Sequence, residues 1–314
     1  MLKDLGITRM TLDLPFRLNH VNCFIAEGED GWIVIDTGLH QEETVKRWKD
    51  QLADKTVSNI IISHYHPDHY GYAGGLQKQT GARVSMTKTD ASMATQAWEE
   101  NFVNRFHQFF NQAGLPKNMS EKIVNHTKSF VPVVTPSPAI NYYLQEGERF
   151  QFGHYEYEVI FTPGHSSGLV CFYNDEKQVL LSTDHILPKI TPNISFTFAE
   201  DENPLNTYLQ SLKKVKKLQA YFVIPSHGDP FYEANSRIDE IIAHHHERLE
   251  ETLDILNREK TAYDVCQKLF PKELTIHEIR FALGETLAHL EYLKIKGECK
   301  RELIDGQWWY VRAS

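Results

Sequence analysis

The chain has 314 residues, of which 41% are hydrophobic and 24% charged, as in an ordinary folded soluble protein. Its formal net charge of −9 argues against a general binder of nucleic acids or anionic membranes. The four cysteines, Cys23, Cys171, Cys266 and Cys299, form no Cys-x-x-Cys pair, which excludes a thiolate zinc site or redox dithiol of that kind. The first ten residues lack the apolar core of a signal peptide, and no stretch approaches the ~18 apolar residues of a membrane span. We therefore expect a cytoplasmic protein without membrane contact.

The first segment alternates extended runs with turns. Residues 22–35 predict a hairpin that ends at residues 36–38. Residues 41–52 have helical spacing, and residues 60–62 form a short buried strand that leads to His64. This order of strand, helix and strand favours a parallel crossover.

Residues 91–138 have a different pattern. Apolar and aromatic side chains recur every three or four residues from Met93 to Phe110, which predicts a long helix with an aromatic stripe. Gly114 and Pro116 end this helix. The stripe is either ordinary core packing or part of an inserted lid that walls a substrate pocket, and the two interpretations are compatible.

The pattern is β-rich again from residue 148 to residue 183. Residues 205–218 predict a helix and residues 221–224 another buried strand. The chain before about residue 230 therefore contains two halves, each with strands, then helix, then strand.

The remaining residues predict helices and a closing hairpin. Residues 237–256 form a strongly periodic helix that carries the triplet His244, His245 and His246. Only His245 lies on the apolar face of that helix, so we interpret the triplet as structural and not as a metal site. Residues 276–293 are helical, and the Asp-Gly pair at 305–306 predicts a hairpin turn.

The most informative motif is His64-Tyr-His66-Pro-Asp68-His69. It directly follows an apolar strand and precedes a glycine-rich stretch, so it lies in a loop at the C-terminal end of a strand, where open α/β sheets place their sites. In an extended loop, His64 and His66 can present two imidazoles to one ion. Asp68 and His69 can turn toward a neighbouring ion.

Three further candidate ligands, His165, Asp184 and His227, also follow short buried strands and adjoin loop-forming residues. With the motif they supply five imidazoles and two carboxylates. That donor set suits two divalent cations, with Zn²⁺ as the first expectation and Mn²⁺ or Fe as alternatives.

These motifs resemble those of the metallo-β-lactamase superfamily. In chain order they are Asp36-Thr37-Gly38, His64-x-His66-x-Asp68-His69, Thr162-Pro163-Gly164-His165, Asp184 and His227-Gly228. The resemblance covers about residues 15–230 and implies an α/β fold, a four-layer αβ/βα sandwich with the metals at its edge. It further implies a first metal on His64, His66 and His165, a second on Asp68, His69 and His227, and a bridging role for Asp184. Asp36 would brace the ligand loop.

Two departures from the family patterns argue against particular branches of the superfamily. His66 stands where flavodiiron oxidoreductases carry Glu, and no cysteine occupies the bridging position of a true antibiotic-degrading lactamase. Residues 276–310 resemble a winged helix, and some members of a lactamase-like branch with such a C-terminal domain cleave RNA.

We expect a catalytic domain over residues 1–232, with residues 91–138 as a helical insertion or lid. A linker helix and a winged-helix-like domain over residues 233–314 complete the chain.

The leading hypothesis is a dinuclear metal-dependent hydrolase, in which a hydroxide shared by the two metals attacks a small ester, thioester or lactone. Asp68 is the candidate catalytic residue, because its carboxylate can accept or relay a proton while also binding metal.

Two alternatives stay open. A metal-dependent endoribonuclease or phosphodiesterase would use the winged helix and the basic cluster Lys294, Lys296, Lys300 and Arg301. However, residues 235–314 contain 12 Lys/Arg and 15 Asp/Glu, an excess of three negative charges that disfavours RNA binding. The winged helix can equally contact protein, as in a homodimer. A non-catalytic binding protein would be indicated by a missing metal ligand, and none is missing.

Overall fold

The computed structural model describes residues 1–313, so Ser314, the last residue of the predicted C-terminal domain, lies outside the described residues. Two six-stranded sheets pack face to face within these residues. The strands of the first sheet, in order both along the chain and across the sheet, are β1 (Ile7–Asp13), β2 (His20–Gly28), β3 (Gly31–Ile35), β4 (Val57–Ile61), β5 (Arg83–Met86) and β6 (Tyr142–Tyr143). The strands of the second sheet are β7 (Arg149–Phe152), β8 (Tyr155–Phe161), β9 (Val170–Asn174), β10 (Val179–Thr183), β11 (Phe222–Pro225) and β12 (Phe231–Tyr232), and their order across the sheet runs from β12 to β7.

Helices cover the outer faces of both sheets. In chain order they are α1 (Glu42–Gln51), α2 (Pro67–Tyr70), α3 (Ala73–Thr80), α4 (Lys88–Gln96), α5 (Glu100–Gln112), α6 (Lys117–Lys128), α7 (Pro204–Lys216), α8 (Ala234–Ile255), α9 (Ala262–Leu269) and α10 (Ile276–Ile295). Trp48 of α1 and Leu76 of α3 pack on the first sheet, and Leu209 of α7 and Ile238 of α8 pack on the second. The predicted four-layer α/β sandwich is therefore confirmed.

Both faces of the central strands are covered, which explains their continuous apolar sequences. Every residue of β9 and β10 is buried. Between the sheets, Phe24 and Ile35 of the first sheet pack against Val159 and Phe172 of the second. This closely packed apolar layer holds the C-terminal ends of the strands in fixed positions. The loops that follow the strands therefore begin at fixed positions as well.

The predicted hairpin and crossover at the start of the chain are confirmed. Strands β2 and β3 pair in antiparallel fashion, with Gly28 opposite Gly31, and β3 pairs with β4 in parallel. The predicted long helix from Met93 to Phe110 is wrong in one respect, because residues 97–99 interrupt it between α4 and α5. None of these three residues is a glycine or proline, and the apolar spacing continues across the break, so the spacing does not show it.

The C-terminal part consists of α8, α9, α10 and a three-stranded sheet. The strands are β13 (Lys260–Thr261), β14 (Cys299–Ile304) and β15 (Gln307–Arg312), with β15 in the centre. Asp305 and Gly306 have φ values of 51° and 78°, as a type I′ turn requires, so the predicted hairpin is confirmed. The likeness to a winged helix stays a prediction. Among the helices of residues 1–313, none is both long and apolar enough to cross a membrane.

Candidate metal centre

The structure brings all seven candidate ligands together at one edge of the sandwich. The motif follows β4, and the other three candidates follow β8, β10 and β11. Among the described residues, the ligand atoms form three groups within 4.8 Å, namely His64 with His66 and His165, His64 with His69 and Asp184, and Asp68 with His69 and His227. We call these seven residues the metal cluster.

A proline divides the motif into its two parts. His66 is extended, with φ −62° and ψ 148°, and Pro67 is the first residue of α2. Proline disfavours a helical conformation in the residue before it and suits the first position of a helix. His64 and His66 therefore precede the helix, while Asp68 and His69 lie within its single turn, so the first pair converges with His165 and the second with His227, and His64 and His69 meet at Asp184.

Asp36 fixes two of the imidazoles from below the cluster. Its backbone adopts a left-handed φ of 59°, which is uncommon for a residue other than glycine. Its carboxylate accepts hydrogen bonds from the Ser63 amide, the Ser63 hydroxyl and Nδ1 of His69, each at 2.8 Å. Because the Ser63 hydroxyl donates to Asp36, it accepts from Nδ1 of His64 at 3.0 Å. Asp36 thus orients His69 directly and His64 through Ser63.

Backbone carbonyls orient two further rings. Nδ1 of His165 lies 2.8 Å from the carbonyl of Asn193, and Nδ1 of His227 lies 2.6 Å from the carbonyl of His20. A carbonyl oxygen only accepts, so each Nδ1 carries a proton and each Nε2 is left to face the cluster. A metal that binds through Nε2 needs the ring in this orientation, with Nδ1 protonated.

The remaining polar atoms of the cluster satisfy the main test for a cation site. Nε2 of His64, His69 and His227 and Oδ1 of Asp184 are buried and have no hydrogen-bond partner. Leaving a buried polar group unpaired costs about 1–3 kcal/mol. Four such atoms directed at one small volume are explained if divalent cations bind there, so the residues present fit the metals that the donor set predicts.

Asp184 lies between two sets of imidazoles. Its Oδ1 is 3.5 Å from Nε2 of His69 and 3.3 Å from Nε2 of His227. Its Oδ2 is 3.4 Å from Nε2 of His165, which in turn lies 2.9 Å from Nδ1 of His66. The two oxygens of a single carboxylate therefore face different groups of ligand atoms.

The electrostatic surroundings of His64 and His66 also differ from those of His69 and His227. Burial and neighbouring imidazoles hold the pKa of His64 and of His66 well below its usual range. Burial opposes the charged form of His227 as well, but Asp184 and Asp68 outweigh it and raise the pKa of His227 to about 10. The same carboxylates raise the pKa of His69 well above its usual range. A cation that binds to His69 and His227 must displace protons from these rings, so its binding is expected to release protons into solution.

The sequence did not reveal the acids that join the ligand loops. The Asp90 carboxylate accepts from the amide of Tyr65 at 3.0 Å and from the hydroxyl of Ser166 at 2.8 Å, and burial raises its pKa to about 7. Glu200 accepts from the Tyr65 hydroxyl at 2.9 Å. Asp90 is also the third residue of α4, after the capping residue Thr87. A sequence pattern can therefore predict its place at the start of a helix, but not its contacts with the ligand loops.

A cavity of about 490 Å³ opens over the metal cluster. Its walls are mostly apolar and come from four parts of the chain: the loop at residues 14–18, Trp98 with Phe130, residues 187–193, and the first turns of α10. The aromatic stripe of α5 lies elsewhere, because Phe109 and Phe110 are buried in the core beside Phe196 and Trp308. From the predicted lid, only Trp98 and Phe130 reach the cavity.

Comparisons with known proteins point to one family. The sequence model described as metallo-beta-lactamase superfamily matches residues 17–227, and a metallo-beta-lactamase-like C-terminal domain matches residues 249–313. A probable metallo-hydrolase, YqjP, from Bacillus subtilis (strain 168) is 24% identical over 309 residues, covering 94% of this chain and 92% of the relative.

Two solved structures are similar over nearly the whole chain. A metallo-beta-lactamase family protein from Thermus thermophilus is 31% identical, with a TM-score of 0.85 and coverage of 98% of both chains. A beta-lactamase domain protein from Burkholderia ambifaria is also 31% identical, with a TM-score of 0.87 and coverage of 98% of this chain and 92% of the other. The likeness therefore includes the C-terminal part as well as the sandwich.

Proposed function

The chain belongs to the metallo-beta-lactamase superfamily and is a metal-dependent hydrolase, and from this premise we propose that it uses two divalent cations to hydrolyse a small ester, thioester or lactone. The observation that carries the dinuclear proposal is the position of Asp184, whose two oxygens face different groups of imidazoles. One carboxylate so placed suits a ligand shared by two cations.

The proposed ligand sets follow the groups of converging atoms. His64, His66 and His165 hold one cation, Asp68, His69 and His227 hold the second, and Asp184 is common to both. The imidazole-rich donor set favours Zn²⁺, with Mn²⁺ or Fe as alternatives. When bound, the two cations lower the pKa of a water molecule toward neutrality and stabilise negative charge on the attacked oxygen.

Asp68 is the proposed proton acceptor. Burial alone would raise its pKa, but His69 and His227 hold the pKa well below its usual range, so the carboxylate is ionised at neutral pH. Its Oδ2 lies 3.5 Å from His69 and 3.3 Å from His227, and the residue lines the cavity. An ionised carboxylate at the floor of the cavity can take the proton of the attacking water and pass it to the leaving group.

The shape and polarity of the cavity favour an acyl substrate. Its volume suits a small molecule, and its mostly apolar walls suit an acyl chain. We retain residues 91–138 as part of a lid only through Trp98 and Phe130, the two residues of this segment that line the cavity.

The nuclease alternative has little support from the basic cluster. Lys294 and Arg301 both pair with the buried carboxylate of Glu291, which holds both side chains and offsets one of their two positive charges. Lys296 lies over the ring of Tyr292. Few cations of this cluster are therefore free to neutralise phosphates, on which RNA affinity mainly depends.

A substrate panel tests the proposal. The zinc-loaded chain is expected to hydrolyse model thioesters, esters or lactones faster than bis(p-nitrophenyl) phosphate, and Asp68→Asn should abolish most of that activity. Turnover of the phosphodiester alone would favour the nuclease alternative. Undiminished turnover by Asp68→Asn would contradict the role of Asp68 as proton acceptor.

A further inference from the structure

The cavity over the metal cluster has one cationic wall residue without a protein partner. We propose that this residue, Arg280 of α10, binds an anionic group of the substrate, so that the substrate is an acyl compound carrying a carboxylate or phosphate away from the hydrolysed bond. The proposal rests on the proposed function, because it names the substrate class of the same site.

The guanidinium of Arg280 is half-buried in the cavity wall. Within residues 1–313 it makes no hydrogen bond or ion pair, and its Cζ lies 4.8 Å from the centroid of the Phe281 ring. Burial lowers the pKa of Arg280 without removing its charge. Its unpaired N–H donors lie at the wall of a mostly apolar cavity, where a carboxylate or phosphate of a ligand can accept charge-assisted hydrogen bonds from them.

Two glutamates in this part of the structure, Glu278 and Glu200, are bound by other residues. Glu278 accepts from the amide and the hydroxyl of Thr275 in the capping box of α10 and pairs with Arg17 at 3.1 Å. Glu200 is bound by the Tyr65 hydroxyl and by Ser167. The fold therefore leaves Arg280 uncompensated, although carboxylates lie in the same region.

Other unpaired arginines of the described residues do not have this setting. Arg105 also lies over an aromatic ring, that of Phe198, at 4.3 Å. It is solvent-exposed and is not part of the cavity wall, so water solvates its charge. Arg105 provides a control, because it too is an unpaired arginine over an aromatic ring but lies outside the cavity.

The rest of the cavity defines the other end of the substrate. Asp68 and Asp184 lie at its floor with the metal cluster, while Phe16, Phe130 and Phe281 form apolar walls. A bound molecule would direct its acyl carbonyl to the metal cluster, its apolar body along these rings, and its anionic group to Arg280. Such a division between one charged anchor and an apolar wall is usual for small-molecule sites.

The test compares matched thioesters of the same chain length that end in a carboxylate, a phosphate or an uncharged methyl ester. Arg280→Met should raise KM about 10–100-fold for the charged substrate that the chain prefers, the range expected for lost charged hydrogen bonds. The KM for the uncharged substrate, and kcat for both, should change little. Arg280→Lys should fall between, because it keeps the charge but loses the planar fork. Arg105→Met should resemble the wild type.

Two outcomes would overturn the proposal. The first is that Arg280→Met changes KM equally for the charged and the uncharged substrates, which would show a merely structural role. The second is that it changes KM for neither. Whether the phosphate or the carboxylate substrate is preferred identifies the anionic group.

A binding measurement keeps the test independent of hydrolysis. Hexanoate and hexyl phosphate would be titrated into the metal-free chain, with hexanol as the uncharged probe and Trp98 fluorescence or heat as the signal. At least one of the two anions should bind the wild type about tenfold or more tightly than it binds Arg280→Met. Equal binding of both anions to the two proteins contradicts the anion site. Absence of acyl hydrolysis with normal binding contradicts only the proposed function.

Discussion

The described residues include two groups of histidines packed in the interior, and the groups differ in what faces the rings. In the metal cluster, five imidazoles surround the carboxylates of Asp68 and Asp184. In the second group, His245 of α8 and His289 of α10 face each other, 3.2 Å apart between Nδ1 and Nε2. We call these two residues the helix pair.

The hydrogen bonds of the helix pair use most of its polar atoms. Nδ1 of His289 donates to the carbonyl of Glu285 at 2.8 Å, so its Nε2 accepts from Nδ1 of His245. Burial is the main cause that lowers the pKa of His245 to about 2 and that of His289 to about 4. The pair is therefore neutral and structural, and the prediction that His245, but not its neighbours, faces the apolar core is confirmed.

The difference between the groups shows what makes histidines a candidate metal site. Burial is common to both. The metal cluster adds carboxylates between the rings, acceptors for the Nδ1 protons of four of them, and several buried ligand atoms without a hydrogen-bond partner that are directed at one volume. A run of three histidines in sequence, as at residues 244–246, supplies none of these.

The strongest test of this comparison removes the shared carboxylate. Asp184→Asn keeps the size of the side chain but weakens both ligand sets. We expect a loss of bound metal and a fall in activity beyond the about 10–100-fold typical of residues that only brace ligands. His245→Phe should keep metal content and activity, measured by mass spectrometry and initial rates. If both variants lost metal equally, the distinction between the groups would fail.

The next largest effect is expected at the brace of the cluster. Asp36→Asn weakens the acceptor of the His69 and Ser63 hydrogen bonds and should reduce metal affinity by about 10–100-fold. Metal affinity would be measured by competition with a chromophoric chelator. Ser63→Ala should have a smaller effect, since it disturbs only the link to His64. An unchanged affinity in Asp36→Asn would show that the ring of His69 is fixed by packing alone.

The helix pair should reveal itself through acid sensitivity. Its folded-state pKa values lie below the about 6.5 of unfolded histidine, so below that pH the unfolded chain takes up protons that the folded chain does not. Stability should fall by up to about 1.4 kcal/mol per pH unit for each ring as the pH drops from 6.5 toward the folded value.

Denaturant unfolding of the metal-free chain and of His245→Phe at several pH values measures this slope. The variant should lose stability less steeply below pH 6.5, whatever its stability at neutral pH. Parallel slopes would mean that His245 is not kept neutral by the fold.

The smallest effect is expected where α10 connects the two groups. The Asn193 side chain donates to Glu285 at 3.4 Å, and the Asn193 carbonyl orients His165. Glu285→Gln retains the acceptor oxygen, so metal affinity should fall by less than the tenfold expected of a direct brace. A larger loss, measured with the same chelator, would show that the charge of Glu285 matters to the position of His165.

Much of the site could be predicted because its chemistry follows short apolar strands. The seven candidates lie in the loops and the single helical turn that follow such strands, and parallel strands bring their ends to one edge. Strands β1 and β5 were not predicted. β5 has only four residues, and its pairing with β4 depends on distant parts of the chain.

The cavity could not be predicted from the sequence, because its walls depend on how α10 packs against the sandwich. Arg280 stands in a helical sequence like any exposed arginine, and only the fold places it over the metal cluster. Similarly, the aromatic stripe of α5 has the same spacing whether it faces the core or a substrate, and the structure places it in the core.

The most direct test of the central claim is the metal content of the purified, untagged chain by mass spectrometry, after reconstitution with Zn²⁺ and removal of loosely bound ions. We predict about two metal ions per chain, and activity that is lost on chelation and restored as both sites fill. A plateau at one ion, with full activity, would contradict the dinuclear account. No bound metal after reconstitution would contradict the assignment of the cluster itself.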